Sequence, residues 1–478
     1  MKETPPVTRS AMIHHSTRGE APDLGFSDAL LAGLARDGGL YWPQAFPTLT
    51  SNAIADLAGR PYAEIADRII GLYADDVAPD QLSKMIREAY ATFRHPSACP
   101  LVEIDTNLFV LELFHGPTLA FKDVAMQLLG RLMDHVLALR NERATIVGAT
   151  SGDTGGAAID AFKGLNRVDM IILYPQGRVS EVQRRQMTTV DAPNVHAVAV
   201  DGTFDDCQAL VKAMFNHHAF RDRLKLSGVN SINWARIVAQ IVYYFSAGVS
   251  LGAPYRKISY AVPTGNFGDI LAGYVAKLMG LPISRLSVAT NENDILARAL
   301  ATGRYEMAGV VATSSPSMDI QISSNFERLL YEVMGRDAAA LRTMMSTLQQ
   351  SKSFTIPAAA LDVMRRDFTA LRADRAAVDV EMKSTWHKAG YLLDPHTAIG
   401  VTAARALLKD DPATPVVALG TAHPAKFPDA VKVATGIHPA LPDHLSDLLS
   451  RKERMTVLPN DQAKIEAFIT AHARAGRE

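Results

Sequence analysis

The feature that most constrains the fold is an alternation of short apolar segments and helical patterns that begins near Leu101. Short apolar segments favour buried β-strands, and the segments between them have the three- and four-residue apolar spacing of helices. Such an alternation is typical of an α/β architecture with mainly parallel sheets flanked by helices. The candidate strands are residues 108–113, 145–149, 170–174, 195–200, 258–262, 286–290 and 416–419.

The chain on either side of these strands is richer in helical patterns. Residues 1–98 predict a mixed, mostly helical N-terminal subdomain, and two of its helices begin at or near a proline. Helical patterns also dominate after about Gln321. The predicted helices are residues 26–35, 61–73, 79–93, 326–334, 338–348, 356–371 and 377–389.

Neither a repeat nor a flexible linker interrupts the sequence after residue 98. We therefore expect a catalytic region, residues 99–460, that is built from two interleaved domains rather than from domains in series. The smaller α/β domain is expected at roughly 124–250. The larger α/β domain is expected at roughly 99–123 and 251–460.

Composition excludes several classes of function. The net charge of −1 gives no reason to expect a nucleic acid or an anionic membrane as partner, and apolar runs are too short to span a bilayer. Two cysteines, Cys99 and Cys207, exclude a disulfide framework, and residues 1–6 lack the apolar core of a signal peptide. We expect a cytoplasmic protein. The histidine pairs 14–15 and 217–218 are adjacent residues whose side chains diverge, so we predict no metal site.

Three of the candidate strands end in loops rich in Gly, Ser, Thr or Asn, and each loop leads into a helix. These are residues 145–156, 258–269 and 416–427. Ligands bind beyond the carboxyl ends of parallel strands, and N–H groups at a helix N-terminus attract anions. Glycine-rich turns also occur for steric reasons alone, and Asp153 or Thr154 could simply cap a helix. The loops contain neither GxxxxGK[ST] nor GxGxxG, so their pattern is not that of nucleoside-phosphate sites.

A lysine lies at the start of another predicted helix. Lys122 follows a turn at Gly116 and Pro117 and has the apolar neighbours Ala120 and Phe121. A lysine in such surroundings is a candidate for a depressed pKa and for Schiff-base chemistry. The alternative is a side chain that reaches water along its aliphatic stem. Taken alone, the position does not decide between the two.

Several of these segments together resemble the threonine synthase family, in its longer bacterial and fungal form. Residues 115–123 (HGPTLAFKD), 149–155 (ATSGDTG) and 263–269 (PTGNFGD) match three motifs of that family. The likeness follows the family's order from about residue 13 to residue 440. Further matching segments are residues 16–19, 37–43, 317–320, 324–328, 394–398 and 421–427.

The resemblance implies a fold type II enzyme with pyridoxal 5′-phosphate as cofactor. Lys122 would form the Schiff base, and its freed amine would then move protons. Thr421 would meet the pyridine nitrogen with a neutral hydroxyl. The cradle for the cofactor's phosphate would be Gly265, Asn266, Phe267, Gly268 and Asp269. Asp269 is an acid near a phosphate, so we expect it to cap the helix with its side chain turned away.

The resemblance also suggests where a substrate anion would bind. Thr150, Ser151, Asp153 and Thr154 belong to the segment that receives the substrate's carboxylate or phosphate in related enzymes. Asn233 and Arg236 could add contacts, because arginine binds phosphate in a bidentate fork. An ordinary surface arginine is the alternative for Arg236, and Lys426 has the same two interpretations.

The implied activity is conversion of O-phospho-L-homoserine and water to L-threonine and phosphate. A phospholyase or dehydratase on the same scaffold, which would yield 2-oxobutyrate and ammonia, is an alternative that the residues leave open. A non-catalytic metabolite-binding homologue is another. The expected partner is a small-molecule substrate, and the expected assembly is a monomer or a homodimer.

Overall fold

Two sheets of mainly parallel strands form the framework of this computed structural model, which describes residues 11–150 and 152–477. The strands are β1 (His14–Ser16), β2 (Tyr41–Pro43), β3 (Leu101–Asp105), β4 (Leu108–Glu112), β5 (Ala144–Ala149), β6 (Val168–Pro175), β7 (Val195–Asp201), β8 (Leu226–Ser227), β9 (Ile258–Pro263), β10 (Ile283–Thr290), β11 (Arg304–Glu306), β12 (Ser353–Thr355), β13 (Phe368–Arg372), β14 (Val416–Gly420) and β15 (Thr456–Pro459).

Helices cover the faces of both sheets. The α-helices are α1 (Phe26–Ala32), α2 (Ser51–Ala55), α3 (Tyr62–Ile70), α4 (Pro79–Tyr90), α5 (Lys122–Leu139), α6 (Asp153–Phe162), α7 (Glu181–Thr188), α8 (Phe204–Asn216), α9 (His218–Arg223), α10 (Trp234–Ser250), α11 (Gly268–Leu278), α12 (Ile295–Thr302), α13 (Phe326–Val333), α14 (Ala338–Ser351), α15 (Ala358–Asp367), α16 (Arg375–Ala389), α17 (Pro395–Asp410), α18 (Pro428–Thr435) and α19 (Gln462–His472). Short 3-10 helices occur at Pro316–Met318, Pro424–Lys426, Asp443–Leu445 and Leu448–Ser450.

The larger sheet has the strand order β13-β10-β9-β14-β4-β3, and only its β3–β4 pair is antiparallel. The smaller sheet has the order β15-β7-β6-β5-β8 and is parallel throughout. Every residue of β6 and of β9 is buried, which explains their continuous apolar runs, because a parallel sheet is covered on both faces. The mainly parallel α/β fold expected from the alternation is confirmed, and each of the seven candidate strands corresponds to a strand of these sheets.

Beyond the seven candidate strands the structure contains further ones, and two of these, β13 and β15, change the expected assignment of their segments. The helix expected at 356–371 ends at Asp367, and the next residues form β13, which pairs with the edge of β10. The larger domain was expected to extend to residue 460, but β15 pairs with β7 of the smaller sheet. Both pairings join segments far apart in the chain, so local periodicity does not reveal them.

The N-terminal segment is joined to the catalytic region by a buried arginine. Arg328 donates hydrogen bonds from Nη2 to the carbonyl oxygens of Tyr41 and Ile232, each at 2.8 Å. Next to it, the ring of Trp42 packs edge-on against that of Trp234 at 5.3 Å. Phe26, Leu30 and Trp42 of the N-terminal segment therefore share one hydrophobic core with α10. Within the part of the chain that the structure describes, no helix is long and apolar enough to cross a membrane.

A close helix contact brings two polar residues of the fold together. Lys122 is the first residue of α5 and Asp153 the first residue of α6. The two helices approach closely at Gly130, where a Cβ atom would lie 2.7 Å from the carbonyl oxygen of Ala161. Only glycine leaves room for backbone at that distance, so this residue sets the spacing between the helices.

Replacing Gly130 by alanine tests that spacing. Alanine in a helix is ordinarily favoured over glycine by about 1 kcal/mol. Here the added methyl group collides with backbone, so we expect Gly130→Ala to lower the free energy of unfolding by about 1–3 kcal/mol in a urea titration. Gly309→Ala is the matched control, because a Cβ atom there meets nothing within 4 Å among the described residues. Equal stability of Gly130→Ala and the parent would contradict the close contact.

Candidate active site

The turn before α5 places Lys122 rigidly. The backbone N–H and the hydroxyl of Thr118 both donate to the carboxylate of Asp123, each at 2.7 Å. A Cβ atom on Gly116 would lie 2.5 Å from the Asp123 side chain, which is why a glycine is needed in the turn. Phe121 N–H donates to the carbonyl oxygen of Thr421 at 2.9 Å. The lysine is thereby anchored beside the carboxyl end of β14.

The amine of Lys122 is buried and faces a carboxylate. Its side chain is 10% exposed, and Nζ lies 3.3 Å from Oδ2 of Asp153 and 3.4 Å from Oγ of Ser317. Burial lowers the pKa of Lys122; the charge of Asp153 opposes this, while the charges of Lys426 and Arg236 add to it. The net result is a lowered pKa, which favours the neutral, nucleophilic amine.

Asp153 is the centre of this polar cluster. Besides Lys122, its carboxylate contacts Nζ of Lys426 at 3.1 Å, Nε2 of Gln183 at 2.8 Å and Oγ of Ser317 at 3.2 Å. Burial alone would raise the pKa of Asp153. The charges of Lys426 and Lys122 and the hydrogen bond from Gln183 outweigh burial and hold that pKa well below its usual range. We expected Asp153 to bind substrate. In the structure its carboxylate faces the two lysines, and a direct contact with an anionic substrate would be repulsive.

The second glycine-rich loop joins β9 to α11. Phe267 takes the left-handed conformation with φ 63°, and no side chain of the described residues caps the helix that follows. The backbone of Gly265 lies so close to the Ser317 segment that a Cβ atom would be 3.0 Å from the Ser317 carbonyl oxygen. A Cβ atom on Gly268 would be 3.2 Å from Nδ2 of Asn325. Asn266 is half-buried, and its carbonyl oxygen accepts a hydrogen bond from Asn325 N–H at 3.0 Å. The loop therefore offers backbone N–H groups in a confined space.

Asp269 does not cap α11, contrary to our expectation. Its Oδ1 atom accepts hydrogen bonds from the hydroxyls of Tyr243 at 2.5 Å and Tyr244 at 3.1 Å, so the side chain points toward α10. Its Oδ2 atom is buried and has no partner in the described part of the chain. Burial raises the pKa of Asp269 to about 7, although the two tyrosine hydrogen bonds act in the opposite direction. A buried carboxyl group of this kind favours the protonated form.

The residues Asn233 and Arg236 at the start of α10 have different environments. Asn233 accepts from Ala235 N–H at 3.1 Å and donates to the carbonyl oxygen of Leu30 at 2.9 Å, so its amide caps the helix and anchors the N-terminal segment. The structure thus engages Asn233 with backbone on both sides, which leaves it poorly suited to the anion contact that we expected.

Arg236 is buried without a counter-ion. Its Nη1 donates to the carbonyl oxygen of Val229 at 3.1 Å, whereas its Nε is buried without a partner among residues 11–150 and 152–477. Within those residues no carboxylate lies within ion-pair distance of it, and burial lowers its pKa to about 10. Its charge acts on Lys122, so it lies within electrostatic reach of the amine. A buried guanidinium of this kind calls for an anion, which excludes the surface-arginine alternative.

The remaining expected site residues are hydroxyls. Thr150 uses its Oγ1 within its own loop, where it accepts from Gly152 N–H at 3.0 Å and Gly155 N–H at 2.9 Å. Thr154 is half-buried in the first turn of α6. Thr421 is buried at the end of β14, beside the segment that carries Lys122. Ser151 lies outside the described residues.

The structure adds residues that the sequence had not assigned. Ser317 contacts both Lys122 and Asp153. Its backbone N–H faces Nε2 of His396 at 3.4 Å, and Nδ1 of that histidine lies 2.8 Å from Asp394. These residues lie in the matching segments 317–320 and 394–398, but a matching segment does not say which side chain faces the lysine. In the part of the chain that the structure describes, no group of three or more His, Cys, Asp or Glu residues is arranged to hold a metal ion.

Comparisons with known proteins match nearly the whole chain. Family models described as "Threonine synthase N terminus", "Pyridoxal-phosphate dependent enzyme" and "Threonine synthase, C-terminal" match residues 13–90, 98–421 and 397–469. A threonine synthase from Pseudomonas aeruginosa is 51% identical over 98% of this chain and 100% of its own length. One from Saccharomyces cerevisiae is 42% identical over 96% of this chain and 97% of its own length.

Two solved structures are also closely similar. The crystal structure of PLP-bound threonine synthase from Brucella melitensis is 60% identical, with a TM-score of 0.95 over 97% of this chain and 100% of that one. The crystal structure of threonine synthase from yeast is 39% identical, with a TM-score of 0.92 over 97% of this chain and 99% of that one.

The raised pKa of Asp269 predicts a pH-dependent effect on stability. Its pKa of about 7 in the folded protein lies above the ordinary value of 3.8. The stability that its protonated form contributes is therefore fully present below the lower value and is lost as the pH rises through 7. The parent should lose this stability between pH 5 and pH 8, whereas Asp269→Asn should not. We therefore expect the free energy of unfolding of Asp269→Asn, measured relative to the parent in urea titrations, to rise by about 1–3 kcal/mol from pH 5 to pH 8. Asp362→Asn, at an exposed position of α15, is the control. Parallel pH dependences of Asp269→Asn and the parent would show that Asp269 is ionised throughout.

Proposed function

The chain belongs to the threonine synthase family of pyridoxal-phosphate-dependent enzymes, and we propose that it converts O-phospho-L-homoserine and water to L-threonine and phosphate. The protein is then a carbon–oxygen lyase that catalyses the last step in threonine biosynthesis. The observation that carries the proposal is the buried amine of Lys122, with its lowered pKa, at the carboxyl ends of the parallel strands. Such an amine is suited to covalent catalysis on carbonyl groups.

The residues around Lys122 fit pyridoxal 5′-phosphate. The uncapped N-terminus of α11 and the close approach at Gly265 suit a phosphate group, and the hydroxyl of Thr421 suits an unprotonated pyridine nitrogen. When bound, this cofactor supplies an electron sink for the carbon atoms next to the substrate's amine. Gly265, Asn266, Phe267 and Gly268 would hold its phosphate through backbone N–H groups and the Asn266 amide. Asp269 would support this loop through Tyr243 and Tyr244.

Lys122 would serve first as the covalent anchor of the cofactor and then as the base. Its freed Nζ would take the proton from Cα and, after passing that proton on, one from Cβ, so that phosphate could leave from Cγ. One of the two protons would end on Cγ, which becomes the methyl group, and the other would leave with the phosphate. Asp153 and Ser317 hold Nζ within 3.4 Å of their oxygen atoms, which keeps the amine near the reacting carbons. Water would then add across Cα and Cβ, with its hydroxyl group on Cβ and its proton on Cα, to complete threonine.

The departing phosphate needs donors that stay in place while negative charge develops. Arg236 supports this part of the proposal, because its buried Nε lacks a partner in the described chain. Thr150 lies in the loop that leads into α6, so it and the N–H groups at the start of that helix are close to Asp153. The proposal also includes the hydroxyls of Thr154 and of Ser151, the latter on sequence grounds alone. Asn233 would contribute by anchoring α10, on which Arg236 lies.

We propose in addition that the two sheets are the cores of two domains, with the substrate between them. Residues 11–98 form the N-terminal subdomain that packs on α10. A cytoplasmic monomer or homodimer is the proposed form. The two cysteines support a reducing compartment, because both are buried as free thiols.

The activity is tested by supplying O-phospho-L-homoserine to the cofactor-loaded enzyme. We expect equimolar threonine and phosphate from the parent and from Lys383→Ala, a change at an exposed lysine of α16. Lys122→Ala removes the proton carrier and should be at least about 100-fold slower. Predominant 2-oxobutyrate would identify a phospholyase instead, and equal rates of Lys122→Ala and the parent would contradict the role of Lys122.

Replacing Arg236 tests the anion site. Arg236→Met replaces the charged donor by an uncharged side chain of comparable length. We expect the KM for O-phospho-L-homoserine to rise about 10–100-fold. Arg236→Lys keeps the positive charge but not the bidentate fork, so its KM should lie between those of the parent and of Arg236→Met. Inhibition by inorganic phosphate should weaken in parallel with the rise in KM. An unchanged KM together with unchanged phosphate inhibition would show that Arg236 does not bind the substrate's phosphate.

A further inference from the structure

Lys426 is a fully buried lysine whose ammonium group is engaged by protein acceptors. It ends the 3-10 helix after β14 and is 0% exposed. Its Nζ donates to the carbonyl oxygen of Thr118 and to Oε1 of Gln186, each at 2.7 Å, and lies 3.1 Å from Oδ1 of Asp153. These three acceptors match the three hydrogens of an ammonium group. A substrate phosphate could bind there only by displacing one of them.

The three acceptors belong to three different elements. Thr118 lies in the turn that precedes Lys122, Asp153 begins α6, and Gln186 lies on α7. Gln186 also donates from Nε2 to the same Thr118 oxygen at 3.0 Å. Lys426 therefore fastens the end of β14 to the turn that carries Lys122 and to two helices of the smaller sheet.

Lys122, Asp153 and Lys426 form a buried row of charges. The carboxylate lies between the two ammonium groups, with Oδ2 toward Lys122 at 3.3 Å and Oδ1 toward Lys426 at 3.1 Å. If Lys122 loses its proton, Asp153 and Lys426 remain as a neutral ion pair. Without Lys426, the carboxylate would be left uncompensated beside Lys122, and burial makes such an isolated charge costly.

We propose that Lys426 is a positioning residue for the proton transfers at Lys122, because it holds Asp153 in place and balances the carboxylate's charge, so that Lys122 can release its proton. The inference rests on the proposed function in one respect, namely that Lys122 is the base. It assigns to Lys426 a task other than binding the substrate's anion.

Other charged groups face the row from the elements packed around it. Arg236 on α10 adds positive charge near Lys122, and His396 on α17 acts on Asp153. Asp123 in α5 accepts a hydrogen bond from Thr118 in the turn, and the charge of Lys426 also acts on it. Burial, Lys426 and Arg236 lower the pKa of Lys122, and Asp153 raises it. Changes at Lys426 and at Asp153 should therefore move the titration of Lys122 in opposite directions.

The first experiment measures Lys122 directly in the full chain without cofactor. Cyanate carbamoylates neutral amines, and the rate at Lys122 is followed by peptide mass spectrometry across pH. We expect Lys426→Met to move the midpoint upward by roughly one pH unit, Asp153→Asn to move it downward, and the double variant to return near the parent. Lys84→Met, at a side chain 65% exposed on α4, should leave the midpoint unchanged.

The second experiment uses the cofactor-loaded enzyme with O-phospho-L-homoserine. The acidic limb of the kcat profile should move upward in Lys426→Met and downward in Asp153→Asn, while the KM of Lys426→Met at its new optimum stays within about 2-fold of the parent. A KM raised about 10-fold or more with an unmoved acidic limb would make Lys426 a phosphate ligand and overturn the proposal.

The two experiments separate failure of this inference from failure of the proposed function. If the parent enzyme forms no threonine, the proposed function fails, yet the cyanate midpoints still test the charge balance. If Lys426→Met does not fold, the double variant, which buries no unpaired carboxylate, is compared with Asp153→Asn. A higher midpoint in the double variant supports the proposal, and an equal or lower midpoint overturns it. Equal midpoints of the parent and both single variants would reduce Lys426 to a packing role.

Discussion

The buried carboxylate of Asp153 between two ammonium groups is the interaction on which the site depends. Taking three charges out of water is costly, and it is tolerable only when each is paired and hydrogen-bonded. Lys122, Lys426, Gln183 and Ser317 supply those contacts from four separate segments. Each segment must therefore be fixed by its contacts with the rest of the fold.

One such segment is the long loop between β11 and α13, which carries Ser317. Asp319 anchors it by accepting from Thr313 N–H at 2.8 Å and from the side-chain amides of Asn291 at 2.7 Å and Asn293 at 3.0 Å. Both asparagines follow β10, so the loop is fastened to the carboxyl end of the larger sheet. Ser317 then reaches across to α6, which belongs to the smaller sheet. In the polar cluster, a loop fastened to the larger sheet thus contacts a helix of the smaller sheet.

Some elements of this fold follow from the local sequence and others do not, for physical reasons. The seven buried strands were found because a parallel strand covered on both faces is a continuous apolar run. The strand at 368–372 was missed because it lies at a sheet edge, where Phe368 packs against Phe267 and Tyr274 while its neighbours keep a mixed pattern. Asn233 looked like a ligand in the sequence, but it caps a helix, since an asparagine before an apolar run suits either task.

The sequence by itself determined the α/β class, the three loops at strand ends, and the lysine behind a turn, because periodicity, glycine placement and matching motifs are local properties. Only the tertiary structure decided which charges pair with that lysine. Lys426 reaches the oxygen of Thr118 across 308 positions of the chain, and Ser317 reaches Lys122 across 195. Contacts between such distant residues depend on how the sheets pack, and the same packing leaves Arg236 buried without a counter-ion among the described residues.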